Sequence, residues 1–180
     1  SYRPSIELAG GKTVAVSLAV NCDQQGCVKS YAIPWDALAK AITPKTRLVI
    51  INTPHNPTGM VWQKSDLDHL ASLVRSTNAL ILSDEVYEHM VFDGLNHVSI
   101  ASHPELAARS FVISSFGKTY HVTGWKVGYV AAPSPMMKEF RKVHQFNVFT
   151  VNTPMQYGLA EYLMNADHYL ALPSFYQAKR

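Results

Sequence analysis

The chain has 180 residues, 47% of them apolar and 16% charged, enough for a well-filled core and inconsistent with a disordered chain. With 9 Gly and 10 Pro, collagen-like and low-complexity architectures are excluded, and a formal charge of +3 is too small to imply a nucleic-acid or membrane-surface partner. Apolar runs such as Leu48–Ile51 are far too short to span a bilayer. Cys22 and Cys27 neither build a disulfide framework nor complete a zinc site, so free thiols in a reducing compartment are expected.

In chain order, the sequence opens on Ser1 without a Met and closes on the helix-forming run Tyr176–Arg180, so both ends are expected to be cuts within a longer protein. No repeat, linker or signal-peptide pattern is present. Thr13–Leu18 alternates like a half-buried strand. Pro34–Ile42 reads as a short helix with Pro34 at its first position. Leu48–Ile51 is a β-branched run of the kind covered on both faces in parallel sheets. A helix capped by Ser65, with Asp68 three residues on, follows; its apolar stripe is Leu67, Leu70, Ala71 and Val74. Ala79–Leu82, Phe111–Ser114 and Val127–Val130 are the next strands, and helices are predicted over 135–147 and 154–164, with Pro154 in the first turn of the second. This alternation predicts an α/β, three-layer sandwich with a mostly parallel sheet. Ligands of such sheets sit beyond the carboxyl ends of the strands.

Three of those ends carry chemistry. Leu48–Ile51 runs into Asn52-Thr53-Pro54-His55-Asn56-Pro57-Thr58-Gly59, a tight loop presenting the Asn56 amide. Ala79–Leu82 runs into Ser83-Asp84-Glu85-Val86-Tyr87, a carboxylate and a phenol. Phe111–Ser114 runs into Ser115-Phe116-Gly117-Lys118, a hydroxyl and an amine on one turn. Each residue also has a plain structural role open to it: Asn56 bracing its turn, Asp84 capping the next segment, Lys118 as a solvated surface cation. His55 is expected to shape its turn rather than move protons, and Trp125 to pack beneath the strands. His89, His121 and His144 share no ligand spacing, so no metal is expected, and neither Tyr120 nor His121 is given a role.

An amine, a carboxylate, amide and phenol donors and a hydroxyl suit pyridoxal 5′-phosphate. Its aldehyde takes a lysine amine, its ring nitrogen a carboxylate, its phenolic oxygen hydrogen-bond donors, and its phosphate hydroxyls, backbone N–H groups and a cation. Asn56-Pro57-Thr58-Gly59, Asp84-Glu85-Val86-Tyr87, Ser115-Phe116-Gly117-Lys118 and Thr123-Gly124-Trp125-Lys126-Val127-Gly128-Tyr129 together resemble, in order, the signatures of fold-type I pyridoxal-phosphate aminotransferases. Asn52–Gly59 and Gly124–Gly128 look most like the methionine/kynurenine aminotransferase branch.

That resemblance, which covers essentially the whole chain, implies residues 1–165 as part of the cofactor-binding large domain. It implies 166–180 as the start of the helix leading to a small domain outside this chain. It implies Lys118 as the Schiff-base lysine, Asp84 as partner of the pyridine nitrogen, Asn56 and Tyr87 as donors to the phenolic oxygen, and Ser115 as a phosphate ligand. Where many relatives carry a phosphate-binding Arg, this chain has Lys126, which keeps the charge without the planar fork. The family's early phosphate loop, its stacking aromatic and its carboxylate-binding Arg are not found here, so residues 1–180 alone are expected to be inactive. The implied reaction is transamination of a methionine-, aromatic- or kynurenine-type amino acid with a 2-oxo acid, in a cytoplasmic homodimer. A β-lyase acting on C–S bonds with the same cofactor, and an aminotransferase-like effector domain of a transcription regulator, remain alternatives. A phosphate-loop nucleotidase fails on sequence: Gly117-Lys118-Thr119 needs a glycine where Val112 stands, and Gly11-Lys12-Thr13 one where Ile6 stands.

Overall fold

A computed structural model describes residues 2–180. The chain divides into two compact units, one ending at Lys45 and one spanning Thr46–Arg180.

The first unit holds helix α1 (Tyr2–Leu8), strands β1 (Ala19–Cys22) and β2 (Val28–Ala32), and helix α2 (Trp35–Ala41). β1 and β2 form an antiparallel hairpin whose turn is set by Asp23: its Oδ1 accepts from the Gln25 and Cys27 N–H groups at 3.0 and 2.8 Å, and Gly26 takes a positive φ of 81°. The strand predicted over Thr13–Leu18 is not there; that stretch has no regular structure and Val14 is 64% exposed. Alternation makes a strand only where a partner supplies the ladder, and the Asp23–Gly26 turn pairs the residues on its own two sides. Pro34 is the N-cap of α2, one position earlier than predicted. Both cysteines are free and exposed.

The second unit is built on a four-stranded sheet in the order β3 (Leu48–Asn52), β4 (Leu80–Asp84), β5 (Ser110–Ser115), β6 (Gly128–Ala131). β3–β4 and β4–β5 are parallel and β5–β6 antiparallel, giving the mostly parallel α/β sheet expected from the sequence. Between β3 and β4 lies α3 (Lys64–Val74), whose Leu67, Leu70, Ala71 and Val74 are all buried, the stripe read from the 3.6-residue period. Its cap is Gln63 rather than Ser65. Gln63 and Asp66 form a reciprocal capping box, with Gln63 N–H donating to Asp66 Oδ2 at 2.7 Å, which satisfies two end groups at once. The sheet is covered unequally: Val49, Ile51, Ile81 and Ser83 on one face are buried, while Leu48 and Leu80 on the other are 39% and 37% exposed. The strand predicted to be covered on both faces is therefore fully covered on one.

The remaining helices are α4 (Pro104–Ala107), α5 (Phe116–Thr119), α6 (Ser134–Asn147), α7 (Thr153–Tyr162), α8 (Asp167–Leu170) and α9 (Leu172–Gln177). Pro154 sits in the first turn of α7, as its fixed φ favours. Arg109 joins α3 to the sheet, donating from Nη1 to the Val74 and Thr77 carbonyls at 2.9 Å each. Tyr120, Val127 and Leu159 form a second, smaller apolar cluster with Phe116 and Met155 packed against it. Among the described residues no helix is long and apolar enough to cross a membrane.

Candidate active site

β3, β4 and β5 are adjacent and parallel, so their carboxyl ends open on the same edge of the sheet. The loops that carry Asn56, Asp84–Tyr87 and Ser115–Lys118 leave from that edge.

The first loop is locked by Asn52. Its Nδ2 donates to the Asp84 carbonyl at 3.0 Å and its Oδ1 accepts from the Asn56 N–H at 2.9 Å, so one amide joins the end of β4 to the turn that presents Asn56. The Thr53 N–H also donates to the Asp84 carbonyl, at 3.0 Å. Inside the turn His55 Nδ1 lies 2.8 Å from Thr58 Oγ1, the bracing role expected of it. Burial pushes the His55 imidazole below its ordinary value, favouring the neutral ring. Gly59 turns the chain back at φ 72°, where a side chain would be strained.

Asp84 ends β4 half-buried, in register with Asn52 on one neighbour and Ile113 on the other. Its Oδ1 accepts from the Val86 N–H at 3.2 Å, so the capping role considered for it exists in part. Three residues beyond Asp84, Tyr87 points its hydroxyl at Asn56, whose Nδ2 donates to it at 3.3 Å. Lys118 Nζ lies 5.7 Å from the centroid of the Tyr87 ring. Amide, phenol and amine, 62 residues apart in sequence from Asn56 to Lys118, therefore share one place. Lys118 is half-buried, not the solvated cation of its plain reading.

Ser115 ends β5 and caps α5, its Oγ accepting from the Gly117 N–H at 3.0 Å and donating to the Val127 carbonyl at 3.3 Å. One turn of helix then presents Lys118. The backbone is packed tightly here: a Cβ on Gly128 would stand 2.7 Å from the Ser114 carbonyl, and one on Gly117 3.0 Å from Thr123 Cα. Lys126 closes the short turn Thr123–Trp125 in the left-handed region, φ 56°, ψ 39°, and is exposed. Trp125 is 41% exposed, so it does not pack beneath the strands as predicted; the turn that carries it lies on the surface.

Three residues that hold this arrangement stand outside the roles the sequence motifs suggest. Asn52 is one. Glu85 is another, 1% exposed, its Oε1 accepting from Ser83 Oγ at 2.8 Å and the Ile100 N–H at 3.0 Å, its Oε2 lying 2.8 Å from His97 Nε2. Burial pushes this carboxyl up, but the bonds from His97, the Ile100 N–H, Ser99 and Ser83 outweigh it and hold it below the ordinary range. A period of two was the available signal, since the buried residues Ile81 and Ser83 of β4 alternate on into Glu85, one position past its end. Glu88 is the third, its Oε1 accepting from Ser114 Oγ at 2.6 Å and from the Tyr129 hydroxyl at 3.2 Å. Burial, and then the Glu88 charge, push the Tyr129 phenol up.

Residues 1–180 match the family model described as Aminotransferase class I and II. The chain belongs to the aminotransferase class I and II family. It is 46% identical over 181 aligned positions to the methionine aminotransferase of Escherichia coli, covering 100% of this chain and 45% of that protein. It is 38% identical over 178 positions to mouse kynurenine–oxoglutarate transaminase 1, covering 97% of this chain and 42% of that one. Among solved structures it superposes, with a TM-score of 0.88 and 46% identity, on an Escherichia coli protein identified as having a methionine aminotransferase function, over 99% of this chain and 46% of the other. The chain thus spans under half the length of these aminotransferases. The superposition also identifies the α/β sheet described above as part of an aminotransferase large domain.

Proposed function

We propose that this chain carries the chemical centre of a pyridoxal-phosphate-dependent aminotransferase acting between an amino acid of the methionine, aromatic or kynurenine type and a 2-oxo acid. The observation that carries the reading is the convergence of Lys118, Tyr87 and Asn56 at the carboxyl edge of β3–β5, with the Asp84 carboxylate at the end of the middle strand. The methionine and kynurenine names of the relatives support the substrate class.

The donor set fits the cofactor. The amide–phenol pair at 3.3 Å offers hydrogen bonds to a single oxygen, the amine lies beside that pair, and the carboxylate stands one strand away from the lysine's own. When bound, pyridoxal 5′-phosphate supplies an aldehyde for an amine and a ring that takes up the electron pair left at the substrate Cα when its proton departs.

The part of the remaining work that falls within this chain belongs to a few side chains. Lys118 would be the residue that holds the aldehyde, and its Nζ, once released by the substrate amine, would be the group of this chain that takes up and returns the proton of the substrate Cα. Positioned proton transfer of this kind is worth roughly 10²–10⁴-fold. Asp84 would keep a proton on the ring nitrogen, because a carboxylate beside it favours the cationic form. Asn56 and Tyr87 would donate to the phenolic oxygen. Ser115, with the N–H groups at the start of α5, would hold the phosphate, and Lys126, at the end of the next turn, would supply a cation. On the family resemblance the proposed setting is a cytoplasmic homodimer, with residues 1–165 in the large domain and 166–180 leading out of it.

The test is covalent. Intact protein incubated with pyridoxal phosphate is expected to gain an absorbance band that borohydride removes, leaving the cofactor fixed on Lys118 in a peptide map. Lys118→Ala is expected to lose the band and nearly all keto-acid formation from methionine, kynurenine or phenylalanine. Label on another lysine, or on none, would refute the assignment.

A further inference from the structure

Tyr87 stands on a turn outside the sheet, residues 86–89, and a turn of that kind does not by itself aim a phenol. Its backbone is held by short local bonds, Glu88 N–H to the Glu85 carbonyl at 2.9 Å and Met90 N–H to the Tyr87 carbonyl at 2.8 Å. The two acids that flank Tyr87 supply the rest. Glu85 ties the start of the turn to β4 through Ser83 Oγ, and to the far end of the following loop through His97 and the Ile100 N–H. Glu88 ties its other end to β5 through Ser114 and to β6 through Tyr129, which are register partners on those strands. Buried carboxylates are costly where an apolar residue of the same size would pack, and their best-attested use is to fix one arrangement among several.

We propose that Glu85 and Glu88 are positioning residues that clamp the turn from both sides and thereby hold the Tyr87 hydroxyl against Asn56 and its ring beside Lys118. The inference rests on the cofactor reading above: the clamp acts on the cofactor only through Tyr87. It places the control of phenol geometry on β4, β5 and β6 together, so that a change at Ser114 or Tyr129, which bond Glu88, is felt at Tyr87.

The experiment is a double-mutant cycle in the intact protein, with hydrogen exchange as an independent readout. Loss of the deeply buried Glu85 threatens folding, so Glu88→Gln, whose side chain is 23% exposed, is the primary variant and Ser114→Ala the second. In the cofactor-free protein, both variants are expected to speed amide exchange at Glu88 and Met90 by about tenfold or more while the β3–β4 ladder stays protected. In pyridoxal phosphate titrations followed by absorbance, Glu88→Gln is expected to weaken binding by roughly tenfold, and to change it less than about twofold when Tyr87 is already Phe. Independent, multiplying effects of Glu88→Gln and Tyr87→Phe would overturn the inference, as would unchanged exchange at Glu88 and Met90. A wild-type protein that takes up no cofactor on Lys118 would instead overturn the cofactor reading, and the inference with it.

Discussion

Replacing Asp84 by Asn removes a charge and almost nothing else, which makes it the sharpest probe of the proposed chemistry. The carboxylate has a local job: Oδ1 accepts from the Val86 N–H at 3.2 Å. An Asn side chain keeps an acceptor oxygen in that position, and Asn serves such turns as well as Asp does. The bonds from Asn52 Nδ2 and the Thr53 N–H go to its backbone carbonyl and are indifferent to the side chain. The loss of stability is therefore expected to stay below about 1 kcal/mol, a change in Tm of under about 4 °C for a domain of this size. The chemical loss is far larger. Removing the partner of a desolvated cation costs about 3–5 kcal/mol, and the half-burial of Asp84 points to the lower end. At about 1.4 kcal/mol per decade, 3 kcal/mol is roughly a hundredfold in turnover. The assay is steady-state keto-acid formation from methionine and a 2-oxo acid at saturating cofactor, run beside a thermal melt followed by circular dichroism. Turnover within about threefold of wild type would return Asp84 to the structural role its bond to Val86 already shows.

Three other outcomes follow from the geometry. Gly128→Ala puts a Cβ 2.7 Å from the Ser114 carbonyl and 3.4 Å from Ser115 Cα, so β6 must move away from β5; a destabilisation of about 1–3 kcal/mol in a thermal melt and weaker cofactor retention are expected, and an unchanged Tm would show that the strand pair has slack. Lys126→Gly relieves a side chain held at φ 56° but loosens the unfolded chain, so stability is expected to change by less than about 1 kcal/mol while pyridoxal phosphate binding weakens with the lost charge; equal affinity would remove Lys126 from the phosphate site. The Glu85 carboxyl is held below its ordinary value of 4.5 in the folded state, so it contributes stability that is present above pH 4.5 and lost as pH falls below it. Glu85→Gln is expected to flatten that part of the urea-denaturation pH profile, and a profile as steep as the wild type's would mean that other carboxyls carry the acid sensitivity.

Local pattern was sufficient where one element's own residues settle the question. The α3 stripe Leu67, Leu70, Ala71 and Val74 is buried as the helical period requires, and β3, β4 and β5 lie within a residue or two of the apolar runs that announce them. The loops after those strands were legible as well, because Asn, Asp, Gly and Pro have few conformations open to them and the order of their motifs is distinctive. Pairing was not legible. Nothing in Thr13–Leu18 reveals that it lacks a partner while Ala19–Cys22 has one, and nothing in Val127–Val130 reveals that β6 runs against the others. Cap position escaped too, because the Gln63–Asp66 box competes with Ser65 by reciprocal bonds that a residue preference does not weigh. For the site, sequence alone determined which groups are available: the amide of Asn56, the carboxylate of Asp84, the phenol of Tyr87 and the amine of Lys118. Only the tertiary structure decided that the amide, phenol and amine meet, at the edge where the strand bearing Asp84 ends, because strand order, parallel sense and the bonds of Asn52, Glu85 and Glu88 across the fold join residues far apart in the chain, and no local preference encodes them.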